Sequence, residues 1–195
     1  GLAKDGGLFL PDEWPVFTKD QLASMAGKSY AEIAFDVISP YVDDHFDAPR
    51  LKAILDKTYG AADTRFHHKA ITPLRQLDQN LWSLELYHGP TMAFKDVALQ
   101  LLGHLFDAAL EDKGERVTIL GATSGDTGSA AIEGCLACKN VDIFILFPDG
   151  RVSDVQRRQM TTLNAPNVHP IALNGTFDDC QNLVKAAFND HDFRA

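Results

Sequence analysis

Three short apolar runs set the tightest limit on the fold. RVTILGA (116–122), VDIFILF (141–147) and VHPIAL (168–173) are too short for buried helices and rich in Val and Ile, so they predict strands. Helical patterns lie between and after them, at 127–138, 153–163 and 176–190. The last places Phe177, Cys180, Leu183, Val184 and Phe188 on an inner face. Strands alternating with helices across short loops predict an α/β fold with a parallel sheet. Upstream, LWSLELY (81–87) alternates Trp82, Leu84 and Leu86 against Ser83 and Glu85, which predicts a half-buried strand, with an antiparallel edge position open to it. A helix is predicted over 93–113, with Phe94, Val97, Ala98, Leu101, Leu105 and Ala109 at helical spacing and Gly114 as its stop.

The first 60 residues have a different texture. Residues 1–15 are rich in Gly and Pro with little periodicity. TKDQLASMAG (18–27) predicts a helix stopped at Gly27. SYAEIAFDVISPYV (29–42) has Ser29 as N-cap and Glu32 at capping-box spacing, and Pro40 is expected to break it. DAPRLKAILDKTYG (47–60) has Pro49 in its first turn and Gly60 as its stop. A small, mostly helical N-terminal region over 1–60, followed by an α/β region over 61–195, is the expected organisation.

Composition excludes some functions. A net charge of −9 opposes a nucleic-acid surface, which needs clustered positive potential. No run of about 18 apolar residues predicts a membrane span. Three cysteines and no signal-peptide pattern point to the cytoplasm. Cys135 and Cys138 form a C-x-x-C, but without a second pair or spaced histidines no metal site is expected, and they read as core side chains. His67-His68 reads as surface. The chain starts without Met and stops within NDHDFRA, as if both ends were cut from something longer.

In parallel sheets ligands bind beyond the carboxyl ends of the strands, so two strand-to-helix junctions draw the search for chemistry. The first is GATSGDTGSAA (121–131). Its glycines at 121, 125 and 128 permit tight turning, its hydroxyls and free helix N–H groups suit an anion, and it matches neither a P-loop nor G-x-G-x-x-G. The second is HGPTMAFKD (88–96), which puts Lys95 at a helix start, where a cation opposes the dipole. Two readings fit: an exposed lysine with Asp96 as an ordinary charged neighbour, or a desolvated amine serving as a nucleophile.

Taken together, HGPTMAFKD and ATSGDTG (122–128) resemble the threonine synthase family of fold-type-II pyridoxal-phosphate enzymes. KDGGLFLP (4–11), ITPL (71–74), RVSDVQRRQMTT (151–162) and NGTFDDCQNLVK (174–185) resemble further segments of that family, in order. The resemblance implies a three-layer, tryptophan-synthase-β-like fold. It implies that Lys95 holds pyridoxal 5'-phosphate as a Schiff base and acts as general base. Ser124, Gly125, Asp126, Thr127 and Gly128 would face the cofactor, with Thr123, Ser124 and Thr127 receiving the substrate. Many relatives of this fold type carry Asn at the position of Asp126. The family converts O-phospho-L-homoserine and water to L-threonine and phosphate. Arg151, just past a strand, is a candidate for the substrate phosphate, ahead of Arg157 and Arg158, and His88 could touch cofactor or substrate. The family runs to about twice this length, so the chain reads as an N-terminal half that lacks the phosphate cradle and the partner of the pyridine nitrogen. Alone it is expected to be inactive and to bind the cofactor poorly or not at all. A threonine-synthase-like phospholyase, a serine/threonine dehydratase and a non-catalytic anion- or nucleotide-binding module are the alternatives.

Overall fold

Capping side chains start most of the helices. In the computed structural model, which describes residues 7–194 apart from 43, 61 and 63, α1 is Lys19–Ser24, capped reciprocally by Thr18 and Gln21. Helix α2, Tyr30–Val42, begins where the Ser29 N–H and hydroxyl donate to Glu32 Oε2, both at 2.7 Å. Pro40 does not break it: the proline lies in the last turn, where only one intrahelical bond is forfeited, and the helix closes at Val42. Helix α3, Ala48–Tyr59, is capped by Asp47, which accepts the Arg50 N–H at 2.8 Å. The first residues of KDGGLFLP, 4–6, lie outside the described residues.

An antiparallel hairpin follows, β1 (Leu74–Asp78) with β2 (Leu81–Leu84). The half-burial expected for LWSLELY is not found, since Trp82 and Leu84 are 52% and 53% exposed. Among the described residues the ribbon has two strands, and the partner strand β1 was not anticipated. Helix α4, Asp96–Lys113, ends on Gly114 in the left-handed conformation (φ 64°). Leu101 of α4 joins Ala31, Leu51, Leu55, Phe66 and Ile71 in one core, so the N-terminal helices share their packing with α4.

The second core is built on the parallel sheet β3 (Val117–Ala122), β4 (Val141–Pro148) and β5 (Val168–Leu173), in that order. Val141, Ile143, Ile145 and Phe147 point alternately to one face. There they meet Ile132 and Cys135 of α5 (Asp126–Cys135), Cys138 just beyond it, and Met160 of α6 (Asp154–Thr161). Helix α7, Phe177–Asn189, contacts β3 and β4 and buries Cys180 completely, giving a helix–sheet–helix sandwich; the short α8, His191–Arg194, follows. Two expected inner residues of α7, Leu183 and Phe188, are about half exposed (51% and 49%), because among the described residues the sheet is only three strands wide.

Candidate active site

The glycine-rich junction is a turn tied from inside by one hydroxyl. Thr123 is buried, and its Oγ1 accepts the N–H of Gly125 at 3.0 Å and of Gly128 at 2.8 Å. Both glycines are required. Gly125 has φ 147° and a Cβ there would meet the Gln156 side chain at 2.4 Å, while one on Gly128 would lie 2.5 Å from Thr123 Cγ2. With the loop so fixed, Ser124, Asp126 and Thr127 face outward at the start of α5. Among the described residues the Ser124 and Thr127 hydroxyls make no hydrogen bond within the chain, whereas Asp126 Oδ1 accepts from Gln156 Nε2 at 2.7 Å. The hydroxyl of Thr123, expected to meet substrate, is committed to the loop itself.

The lysine junction rests on a buried carboxylate. Asp96 is wholly buried: Oδ2 accepts the Thr91 N–H at 2.8 Å and Oδ1 accepts the Thr91 hydroxyl at 2.7 Å. Gly89 presses on the same group, since a Cβ there would fall 2.4 Å from Asp96 Oδ2. Burial pushes the Asp96 carboxyl up, against the Thr91 hydrogen bonds and the Arg65 charge. Asp96 is therefore not the ordinary charged neighbour of the sequence reading. The turn also holds Met92 at φ 64°, a strained conformation of the kind that gathers at functional sites.

Lys95 follows this turn as the N-cap of α4, half-buried, its carbonyl accepting the Leu99 N–H at 2.9 Å. Its Nζ lies 4.4 Å from the centre of the Phe94 ring and, among the described residues, has no ion pair or hydrogen bond. Phe94, expected to pack inward, is 59% exposed.

Two features couple the junctions. Helix α6 touches both: Gln156 bonds Asp126, and Gln159 Nε2 donates to the Thr91 carbonyl at 2.9 Å. Helices α4 and α5 also cross at backbone contact, since a Cβ on Gly103 would lie 1.9 Å from the Gly134 carbonyl oxygen and one on Gly134 2.3 Å from that of Leu99. Each helix carries one junction at its N-terminus. The arrangement offers an unpaired amine on one side and outward hydroxyls and helix N–H groups on the other, which suits a ligand with a reactive carbonyl and an anionic end.

Residues 65–194 match the profile described as pyridoxal-phosphate dependent enzyme, and residues 1–59 match that of the threonine synthase N terminus. The chain belongs to the pyridoxal-phosphate-dependent enzyme family. It is 58% identical over 193 residues to the threonine synthase of Pseudomonas aeruginosa, covering 99% of this chain and 40% of that protein. It is 42% identical to the Saccharomyces cerevisiae threonine synthase over 209 residues, covering 100% and 40%. A solved structure of threonine synthase from Brucella melitensis with bound PLP superposes with a TM-score of 0.93 at 53% identity, covering 98% and 40% of the two chains. That of the Escherichia coli threonine synthase gives 0.81 at 32%, covering 99% and 42%. The chain thus spans about two fifths of the length of these relatives.

The remaining candidates of this family member lie apart from Lys95 in their contacts. Arg151 is exposed in the turn after β4, where its charge helps the Thr176 hydrogen bonds hold the Asp179 carboxyl below the usual range. Arg157 is 3.7 Å from Asp154, and Arg158 is exposed. His88 Nε2 is 2.8 Å from Glu85 Oε2, and this bond leads the depression of the Glu85 carboxyl. His68 is not plain surface: it is half-buried with its ring 5.0 Å from that of His88. Sequence reasoning missed Thr91, Gln156 and Gln159 and undervalued Asp96. Only the Thr91 to Asp96 spacing within a Gly-Pro turn held a usable signal.

Proposed function

We propose that the full-length protein containing this chain is a threonine synthase, converting O-phospho-L-homoserine and water to L-threonine and phosphate. The observation that carries the reading is Lys95 Nζ, an amine without a counter-ion among the described residues, in a chain matched along its length by threonine synthases. The residues present fit pyridoxal phosphate: Lys95 would hold it covalently, and the 124–128 loop would line its face. Bound there, the cofactor supplies an electron sink for charge at the substrate's α-carbon. Lys95 Nζ takes the α-proton and returns it. The Ser124 and Thr127 hydroxyls and the first N–H groups of α5 orient the substrate carboxylate, and Thr123 acts through them by shaping the loop. Asp126 lines the site, steered by Gln156. Arg151 is the proposed phosphate contact. Residues 1–60 form the helical N-terminal region and 61–195 the opening of the catalytic region. Three free cysteines support a reducing compartment, the cytoplasm, and the acidic charge supports small-molecule partners over nucleic acid.

Borohydride treatment of the full-length protein, followed by peptide mapping, tests the assignment. The cofactor label is expected on Lys95, with Lys95→Ala losing both the label and threonine formation. A label on another lysine overturns it. Phosphate release from O-phosphohomoserine separates a synthase from a dehydratase.

A further inference from the structure

One side chain on α6 is bonded at both ends of its amide. Gln156 Oε1 accepts from Ser153, the N–H at 3.1 Å and the hydroxyl at 2.9 Å, and so closes the capping box that starts α6. Its Nε2 donates to Asp126 Oδ1 at 2.7 Å. The cap alone does not call for glutamine. A capping box is served equally by Glu, as Glu32 serves Ser29 at the start of α2. Only an amide can close the cap and also donate to a carboxylate. Its seat is fixed: a Cβ on Gly125 would overlap the Gln156 amide, so the side chain lies against the loop backbone. Three residues on, Gln159 ties α6 to the Thr91 carbonyl, so the helix that carries Gln156 is held against both junctions.

The bond matters because of where Asp126 stands. It is the first residue of α5, whose N-cap, Gly125, supplies no side-chain acceptor. Thr123 takes the Gly125 and Gly128 N–H groups. The N–H groups of Asp126 and Thr127 have no partner among the described residues. A carboxylate in a first turn is drawn to such groups by the helix dipole, and Asp is among the strongest caps. Asp126 is exposed, so left to itself its short side chain would turn onto them and meet an incoming anion with its own charge. Gln156 draws it the other way.

We propose that Gln156 is a positioning residue: its amide holds the Asp126 carboxylate off the first turn of α5, which leaves the Asp126 and Thr127 N–H groups open to the carboxylate of an amino-acid substrate. The inference rests on the function proposed above and adds to it the residue that keeps the anion-binding turn from capping itself.

Gln156→Glu separates this role from the cap, because it keeps an acceptor for Ser153 and sets a like charge against Asp126. In the cofactor-free full-length protein, hydrogen exchange resolved to single amides is expected to slow at Asp126 and Thr127 by about 3- to 30-fold, the worth of one N-cap. A merely structural tie between α5 and α6 moves the same rates the other way, since its loss loosens the turn. Gln156→Met, which frees Asp126 without adding charge, should slow them too. In the holoenzyme, calorimetry is expected to show L-threonine binding about 3- to 30-fold more weakly to either variant. Combining Gln156→Glu with Asp126→Asn puts the donor on the loop and the acceptor on α6, and should restore both readings. Unchanged or faster exchange at the two amides in both variants overturns the proposal. So does a double variant no better than Gln156→Glu alone, or unchanged threonine affinity with the borohydride label on Lys95. If the parent protein binds no threonine, or carries its label on another lysine, the reading of function fails; the exchange rates, taken without cofactor, still decide the role of Gln156.

Discussion

At the scale of single residues, a carboxylate explains the lysine. Asp96 uses both oxygens on Thr91, and so fixes the turn from which Lys95 projects. Replacing it by Ala strands a buried N–H and hydroxyl and is expected to cost about 1–3 kcal/mol in denaturant unfolding, with Asn costing less because it can still pair with both groups. Glu133 makes a pH prediction. Burial, ahead of Arg65, raises its pKa, so the folded state holds the proton more tightly than the unfolded chain does. Its contribution is then favourable below the ordinary Glu range and is lost as pH rises through the folded value. Glu133→Gln should therefore melt higher than the parent protein near pH 7, with the gap closing as pH falls toward about 4. The place of Lys95 at the start of α4 and the tight turn at Gly125 and Gly128 were legible in the sequence, because an out-of-place cation and clustered glycines have few ordinary uses. Asp96 was not, because an acidic residue in a first helical turn already has a dipole explanation. Thr123 misled because a hydroxyl beside a glycine loop has the same spelling whether it faces ligand or backbone.

At the scale of elements, the crossing of α4 and α5 sets the site's width. Gly103 and Gly134 each face carbonyl backbone, which cannot rotate away as a side chain could. Gly103→Ala must push the helices apart, and about 1–3 kcal/mol or more of destabilisation is expected, with the cofactor label on Lys95 falling as well. A mild variant that keeps full labelling would show that the helix spacing is not what aligns the two junctions. Strands β3, β4 and β5 and helices α4 to α7 were readable within a few residues, because Val and Ile runs and capping boxes are local signals. Strand β1 was missed because LRQLD carries one polar–apolar alternation too short to stand out, and it exists by pairing with β2. The role of Gly103 and Gly134 was invisible too, since what they touch lies on another helix.

At the scale of the molecule, two cores meet along α4, one with the N-terminal helices and one with the sheet. Whether those helices belong to the catalytic region could not be read from periodicity, which reports that a face is buried but not against what. What the described residues show is that Leu101 of α4 packs in one core with those helices. The exposed hairpin, with Trp82 and Leu84 half open, has the same origin: its pattern is apolar, and the described residues supply nothing to cover it. Finally, all three cysteines are free and buried, Cys135 and Cys138 on the α5 face of the sheet and Cys180 beneath α7. Thiols so placed react only when their layer lifts, so they act as clocks for opening. Slow alkylation of the full-length protein, read by peptide mass spectrometry, should modify the two faces at different rates. If Cys180 and Cys138 are labelled in step, the sandwich opens as one unit; if one leads, its side of the sheet is the weaker hinge.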